Sequence, residues 1–285
     1  MEKDFKEKLI NFVQNALKED VGDGDYTSLS TIAQNQQGQA QLLVKEDGIL
    51  AGVEVAKEIF LYLDPAIEIE ILVQDGSHIK AGDIALKLTG KIHTILLGER
   101  LVLNIMQRMS GIATQTALYV KEVAGTKTKV LDTRKTTPLL RFLEKRAVEI
   151  GGGVNHRFGL YDMILIKDNH VDYAGGIEAA VHNALTYKKE HNLAIPIEVE
   201  VRNFEELALT LKIPGIDRIM LDNFTPEDVK KAVSLVDGKM VTEASGGITL
   251  STIAAYAKSG VDYISVGALT HSVKSLDLSL KAKLI

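Results

Sequence analysis

Apolar and polar positions fall into three successive patterns along the chain. Near the N-terminus, Phe5, Leu9, Phe12, Val13, Ala16 and Leu17 recur at the spacing of one helical face, which predicts an amphipathic helix. From about 38 to 92 the apolar runs are short and partly alternating, as in IEIEILVQDGSHIKAGDIALKLTG, and Asp47-Gly48, Asp75-Gly76 and Ala81-Gly82-Asp83 break them up. That pattern predicts antiparallel strands joined by tight turns. The turns have a faint likeness to lipoyl-type swinging-arm domains, but no turn Lys in a Met-Lys-Met context accompanies them, so ordinary hairpins are the better reading. A helical stretch at about 98–123 follows.

From about Val130 the rhythm changes again. Short apolar runs alternate with helical patterns: KVLD and a helix near 138–150, MILIK and a helix near 174–191, IEVEV and 203–212, RIMLD and 225–236, MVTEA and 250–259, then YISVG. Repeated strand–helix units predict a parallel sheet with right-handed crossovers, and six in succession predict a closed or nearly closed α/β barrel. The final LDLSLKAKLI alternates Leu276, Leu278 and Leu280. It reads as a strand that pairs with the N-terminal sheet and makes that domain discontinuous.

Polar residues gather at the C-terminal ends of these strands: Asp132 to Lys135, Lys167 to His170, Glu200, Asp222-Asn223, and Glu243 to Ser245. A buried parallel strand has no packing need for a charge at its tip, whereas in α/β barrels that end faces the active site. Composition narrows the chemistry. There are 285 residues, 46% hydrophobic, with a formal net charge of -5 and no Cys or Trp. Disulfides, thiolate metal sites and Cys nucleophiles are excluded. No basic arm suits nucleic acid, no apolar run suits a membrane span, and the N-terminus lacks a signal-peptide pattern. The expectation is a soluble, cytoplasmic enzyme.

Three groups of candidate residues follow. Ser245-Gly246-Gly247, ahead of a helix expected from about Thr249, and Gly267 one strand later offer backbone N–H groups to a phosphate; tight turns alone are the plainer alternative. Glu198 and Glu200 share one face of their strand. Glu200 lies nearer the tip, and with Asp222 it could hold Mg²⁺ directly or through water, accept hydrogen bonds from ribose hydroxyls, or pair with nearby cations. Glu198 suits the last of these roles. Arg134, Lys135, His156, Arg157 and Lys167 form a cation set that calls for a compact polyanion, because cations buried together without anions are costly. Arg100 and Arg108 lie roughly on one side of the long helix, and either could enter from a neighbouring subunit. The Gly151–Gly153 run ends a helix and lets the chain turn toward His156 and Arg157.

At these residues the chain resembles the quinolinate phosphoribosyltransferase family. The resemblance covers nearly the whole length and includes LKEDVGDGDYTS, ERLVLNIMQRMSGIAT, LDTRKTTP, EKRAVEIGGGVNHRFGLYDMILIKDNH, IMLDN, EASGGI and VGALTHS. Leu139 departs from the family's usual Gly. The resemblance implies an N-terminal α/β sandwich over 1–112, joined by 274–285, and an open α/β-barrel catalytic domain over 113–273. It implies transfer of phosphoribosyl from 5-phosphoribosyl-1-pyrophosphate to quinolinate with Mg²⁺, giving nicotinate mononucleotide, pyrophosphate and CO₂ in NAD biosynthesis. By motif position, Arg100, Arg134, Lys135, His156, Arg157 and Lys167 match the quinolinate pocket, Arg100 from a partner subunit of a homodimer or a hexamer of dimers. Glu200 and Asp222 match the ribose and Mg²⁺ side, and Ser245, Gly246, Gly247 and Gly267 the 5'-phosphate site. Lys135, Glu200 and Asp222 are the expected catalytic groups. Three rival readings are a pyrophosphorylase-like protein associated with molybdate transport, an aldolase-like enzyme with Lys167 as Schiff-base lysine, and a non-catalytic sensor of phosphoribosyl pyrophosphate. The intact LIKDNH string counts against the first.

Overall fold

The computed structural model describes residues 2–283; Met1 and residues 284–285, which the expected domain ranges and the last expected strand include, lie outside them. The chain divides into two compact units, Met1–Ala117 with Thr136–Gly152 and Ser272–Ile285, and Leu118–Lys135 with Gly153–His271.

In chain order, the first unit opens with α1 (Lys3–Val21), α2 (Tyr26–Thr31), β1 (Gln37–Val44), β2 (Gly48–Ile49), α3 (Val53–Leu63), β3 (Glu68–Ile71), β4 (His78–Ile79), β5 (Ile84–Lys91) and α4 (Ile92–Glu122). The second unit begins at Leu118, near the end of α4; β6 (Lys129–Leu131) is its first strand, and α5 (Arg141–Ile150) belongs again to the first unit. The second unit continues with β7 (Ile164–Ile166), α6 (Asp168–Ala174), α7 (Ile177–Glu190), β8 (Ile197–Val201), α8 (Phe204–Thr210), β9 (Arg218–Asp222), α9 (Pro226–Val236), β10 (Val241–Ser245), α10 (Ile253–Ala257), β11 (Tyr263–Ser265) and α11 (Ala268–His271). β12 (Leu278–Lys283) closes the chain.

The first unit carries a four-stranded antiparallel sheet in the order β12-β1-β5-β3. The C-terminal strand thus pairs with β1, Leu42 opposite Leu280 and Val44 opposite Leu278, as its alternation predicts. α1 buries Leu9 and Val13. Its Phe5 and Phe12 meet Phe142 of α5 edge-on at 5.2 and 6.1 Å, so α5 belongs here although it follows a barrel strand in sequence. Gly151 ends α5, and a Cβ there would strike the Ala113 carbonyl on α4; Gly152 then takes a left-handed φ of 87°. Leu139, ahead of α5, also has a left-handed φ of 67° and is 87% exposed. That conformation explains a glycine preference, since a branched side chain there is strained by about 1–2 kcal/mol.

The second unit is a six-stranded parallel sheet in the order β6-β11-β10-β9-β8-β7. The last strand returns to the first, while β6 and β7 stay unpaired with each other, so the barrel is open at that seam. The segment after Gly153 lies along β6 there: Val154 N–H donates to the Val130 carbonyl at 2.8 Å, and Asp132 N–H to the Val154 carbonyl at 3.1 Å. β8 is buried at all five positions. Helix starts follow ordinary capping chemistry: Asn203 accepts from Glu206 N–H, and Thr225 accepts from Asp228 N–H just ahead of Pro226.

The helix expected near 174–191 is α7, and a short helix that the pattern did not predict, α6, precedes it from the residue after Lys167, with left-handed Gly175 and Gly176 between the two. The one expected from Thr249 shrinks to α10, because the Thr249 and Thr252 hydroxyls bond to each other and to local backbone, offering the chain a turn in place of a helix.

Candidate active site

The second unit by itself brings together every expected site residue except Arg100. Lys167, at the end of β7, sets its Nζ 3.2 Å from Oε2 of Glu200 on β8. Asp222 ends β9 beside Ser245 of β10, its parallel register partner. Burial and then the Glu200 charge push the Asp222 carboxyl above its ordinary value, so the two carboxylates feel each other. Asn223, at a left-handed φ of 58°, donates from Nδ2 to Asp222 Oδ2 at 2.7 Å and orients it.

The glycine loops sit at the next two tips. A Cβ on Gly246 would fall on the Asn223 side chain and backbone, and Gly246 and Gly247 have left-handed φ values of 102° and 58°. Only glycine joins these two turns without strain. Because α10 begins at Ile253, the loop offers its own N–H groups to an anion, without a helix end directly behind it. Gly267 precedes the four-residue α11 and lies under His271 and the Lys135 stem, each about 3 Å from where its Cβ would be. The Lys135 carbonyl accepts the Thr270 hydroxyl at 2.8 Å, which ties the β6 tip to this loop. His271 stands in the VGALTHS string, yet sequence reasoning gave it no role.

The remaining cations line the open seam. His156 N–H donates to Oδ1 of fully buried Asp132 at 2.7 Å. Arg157 donates from Nη1 to the Met163 carbonyl at 3.1 Å, and Asp162 accepts the N–H groups of Phe158 and Gly159, shaping the turn that follows. Desolvation, then the neighbouring Arg134 charge, holds the Arg157 guanidinium below its ordinary value. A partly buried cation beside a second cation is a prepared anion site.

Arg100 lies in the first unit, exposed on α4, with no ion pair to another described residue. Arg108 differs. Its Nε donates to the buried Glu144 carboxylate at 2.9 Å and Nη2 lies 2.8 Å from it. Of the two helix arginines, Arg100 is the one left to reach outward.

Below the mouth is a cluster that sequence reasoning mostly missed. Glu198 and Glu243 face the barrel interior fully buried. Glu243 sits mid-strand and not at the tip, since β10 runs on to Ser245. Arg218 Nη1 lies 3.0 Å from Glu243 Oε2, and its guanidinium stacks 4.6 Å over the Tyr263 ring. The His156 ring lies 3.1 Å from Glu198 and 3.5 Å from Glu243. The i, i+2 spacing of Glu198 and Glu200 placed both on one face; nothing local said that this face is the interior.

Burial drives both the Glu198 and Glu243 carboxyls from 4.5 up to about 7, against the pull of Arg218. Between these limits the folded chain binds protons that the unfolded chain has released. The cluster therefore takes stability away as pH rises through that window. Glu198→Gln should gain on the wild type by on the order of 1–3 kcal/mol between pH 5 and pH 8. Calorimetric melting at both pH values checks this, and a constant difference would contradict it.

An open parallel barrel with opposed charges at its strand tips defines an α/β enzyme that handles anionic substrates. Family models match residues 25–110 to the quinolinate phosphoribosyl transferase N-terminal domain and residues 112–281 to its C-terminal domain. The chain belongs to this family. It is 46% identical over 284 residues to the chloroplastic nicotinate-nucleotide pyrophosphorylase [carboxylating] of Arabidopsis thaliana, covering 94% of this chain and 81% of that protein. It is 44% identical to quinolinate phosphoribosyltransferase [decarboxylating] 1b of Nicotiana tabacum, covering 96% and 82%. The solved nicotinate-nucleotide pyrophosphorylase of Francisella tularensis superposes with a TM-score of 0.90 at 42% identity, over 98% of this chain and 97% of that one.

Proposed function

We infer that this protein is a quinolinate phosphoribosyltransferase, which transfers phosphoribosyl from 5-phosphoribosyl-1-pyrophosphate to quinolinate and decarboxylates the product to nicotinate mononucleotide. The observation that carries the reading is the assembly, within one unit of this family's fold, of a cation group at the β6–β7 seam, an acidic pair on β8 and β9, and glycine loops after β10 and β11.

Arg134, Arg157 and Lys167 grip the two carboxylates of quinolinate and aim the ring nitrogen, a contribution of orientation. The nitrogen forms a bond to ribose C1 as the bond from C1 to pyrophosphate breaks. Glu200 and Asp222 face the positive charge that develops on the sugar. Ser245, Gly246, Gly247 and Gly267 receive the 5'-phosphate. After transfer the ring is a pyridinium, so when the adjacent carboxylate leaves as CO₂ the electron pair left on carbon is stabilised by the neighbouring nitrogen. A proton then completes the product, with Lys135 as the candidate donor.

Mg²⁺ fits the acidic pair. Glu200 and Asp222 are oxygen donors on neighbouring strands whose charges oppose each other, and they would hold a hard cation directly or through water. Bound there, it would neutralise pyrophosphate charge. Lys167 engages Glu200 with a side chain that is 46% exposed, whereas an imine-forming lysine needs a dry apolar setting. No helix among the described residues is long and apolar enough to cross a membrane.

Purified protein with quinolinate, phosphoribosyl pyrophosphate and Mg²⁺ should release nicotinate mononucleotide and CO₂ in equal amounts. Folded protein that is inert across pH and metal would refute the reading. The homo-oligomer is a further part of it, with Arg100 entering a partner's site. Mixing Arg100→Ala chains with Lys167→Ala chains should then restore up to about a quarter of the activity of unmixed wild type, because one site per mixed dimer is intact. Mixtures no better than either variant alone would rule out sharing.

A further inference from the structure

We propose that Glu198 and Glu243 are positioning residues which act through the His156 ring to fix the backbone at Arg157, and that His156 serves the substrate indirectly. The proposal rests on the quinolinate reading of this site and deepens it.

The geometry at His156 points inward on every side. Its backbone N–H is taken by Asp132. Its Nδ1 accepts the Arg157 backbone N–H at 2.6 Å. A nitrogen that accepts a hydrogen bond carries no proton, so the ring proton is on Nε2. Nε2 lies 3.1 Å from Glu198 Oε2 and 3.5 Å from Glu243 Oε2, contacts of ion-pair length and not aligned hydrogen bonds. The side chain is 5% exposed. A substrate carboxylate would have to come in beside two buried carboxylates to reach the one ring N–H.

The anchor under this ring is rigid. Arg218 holds Glu243 at 3.0 Å and is itself stacked on Tyr263. β8, β9, β10 and β11 thus each supply one side chain to a chain of contacts that ends at the Arg157 amide. Arg157 itself differs from His156: it is only partly buried, its guanidinium lies near that of Arg134, and one nitrogen is steadied by Met163. On the open edge of the barrel, Val154 is tied to β6 by two backbone hydrogen bonds and the His156 N–H by Asp132. The buried carboxylates beside the His156 ring hold the next step, to Arg157. His156, Glu198 and Glu243 offer ligand atoms within 4.8 Å of one another, but Arg218 already provides the positive charge at these carboxylates, so positioning is the simpler use.

Substitutions at Glu198 and His156 separate positioning from mere stability. Glu198→Met removes the acceptor at similar volume; Glu198→Gln keeps an oxygen for Nε2–H. The expected result is a roughly tenfold rise in quinolinate KM for Glu198→Met, a KM for phosphoribosyl pyrophosphate within twofold of wild type, and recovery of most of the loss in Glu198→Gln. Adding Glu198→Met to His156→Asn should cost nothing beyond His156→Asn alone. Equal loss for both substrates, equal loss in the Met and Gln variants, or full additivity would overturn the proposal. Glu243→Gln is read in the same way if Glu198→Met does not fold. In the wild type, ¹⁵N resonances of the His156 ring should show the Nε2–H tautomer without substrate and stay in place when quinolinate is added. A ring that becomes doubly protonated on binding would make it a direct ligand. The tautomer in free enzyme is measured without turnover, so an inactive wild type would count against the reaction assigned above and leave this test standing.

Discussion

Asp222→Asn is expected to lower kcat by about 10²–10³-fold, with little change in quinolinate KM. The side chain keeps its shape and loses only its charge. That charge is unusually placed. Burial and the Glu200 carboxylate both act against it, and only the Asn223 amide and Lys167 support it. In the proposed reaction a cation develops as the bond from C1 to pyrophosphate lengthens, and a carboxylate whose charge is otherwise opposed by burial and by Glu200 would stabilise it. The positioning is fixed on both sides, by the β8–β9 ladder below Glu200 and by the register of Asp222 with Ser245. Little of the electrostatic effect is then lost to reorganisation. Steady-state rates at saturating substrate, with melting temperatures compared, decide the matter. A fall of less than fivefold in folded protein would remove Asp222 from the chemistry.

Arg157→Ala should raise quinolinate KM by about 30- to 1000-fold, equivalent to roughly 2–4 kcal/mol, while the KM for phosphoribosyl pyrophosphate changes less than threefold. The guanidinium is already partly desolvated beside Arg134 and tethered at Met163. Part of the cost of bringing a cation out of water is therefore met before substrate arrives, and an incoming carboxylate gains a prepared partner. Arg157→Lys keeps the charge without the planar fork and should recover only part of the loss. Equal weakening of both substrates in Arg157→Ala would place the residue outside the dicarboxylate pocket.

The fold was largely legible because its signals are local. Helical spacing in α1, alternation in β12 and the strand–helix beat after Val130 each reflect a side-chain period that no distant contact alters. Where local chemistry competes, the reading slipped: hydroxyls at Thr249 and Thr252 shortened α10, and the seven-residue α6 was too short to show a helical period. The charged tips of β6 to β9 were visible for a similar reason, since a charge closing an apolar run is anomalous wherever the run packs.

Sequence by itself determined the strand–helix repeat, the glycine loops and the identity of the charged groups, because these depend on residue type and short spacing. Tertiary structure alone decided which of them meet. It left the β6–β7 seam open and laid Val154 to Arg157 along it. It gave Arg108 to Glu144 and left Arg100 exposed. It also turned Glu198 and Glu243 inward against His156 and Arg218. Such pairings join residues tens of positions apart, between α4 and α5 in the first unit and across neighbouring strands in the barrel, and they depend on packing that no short stretch of the chain carries.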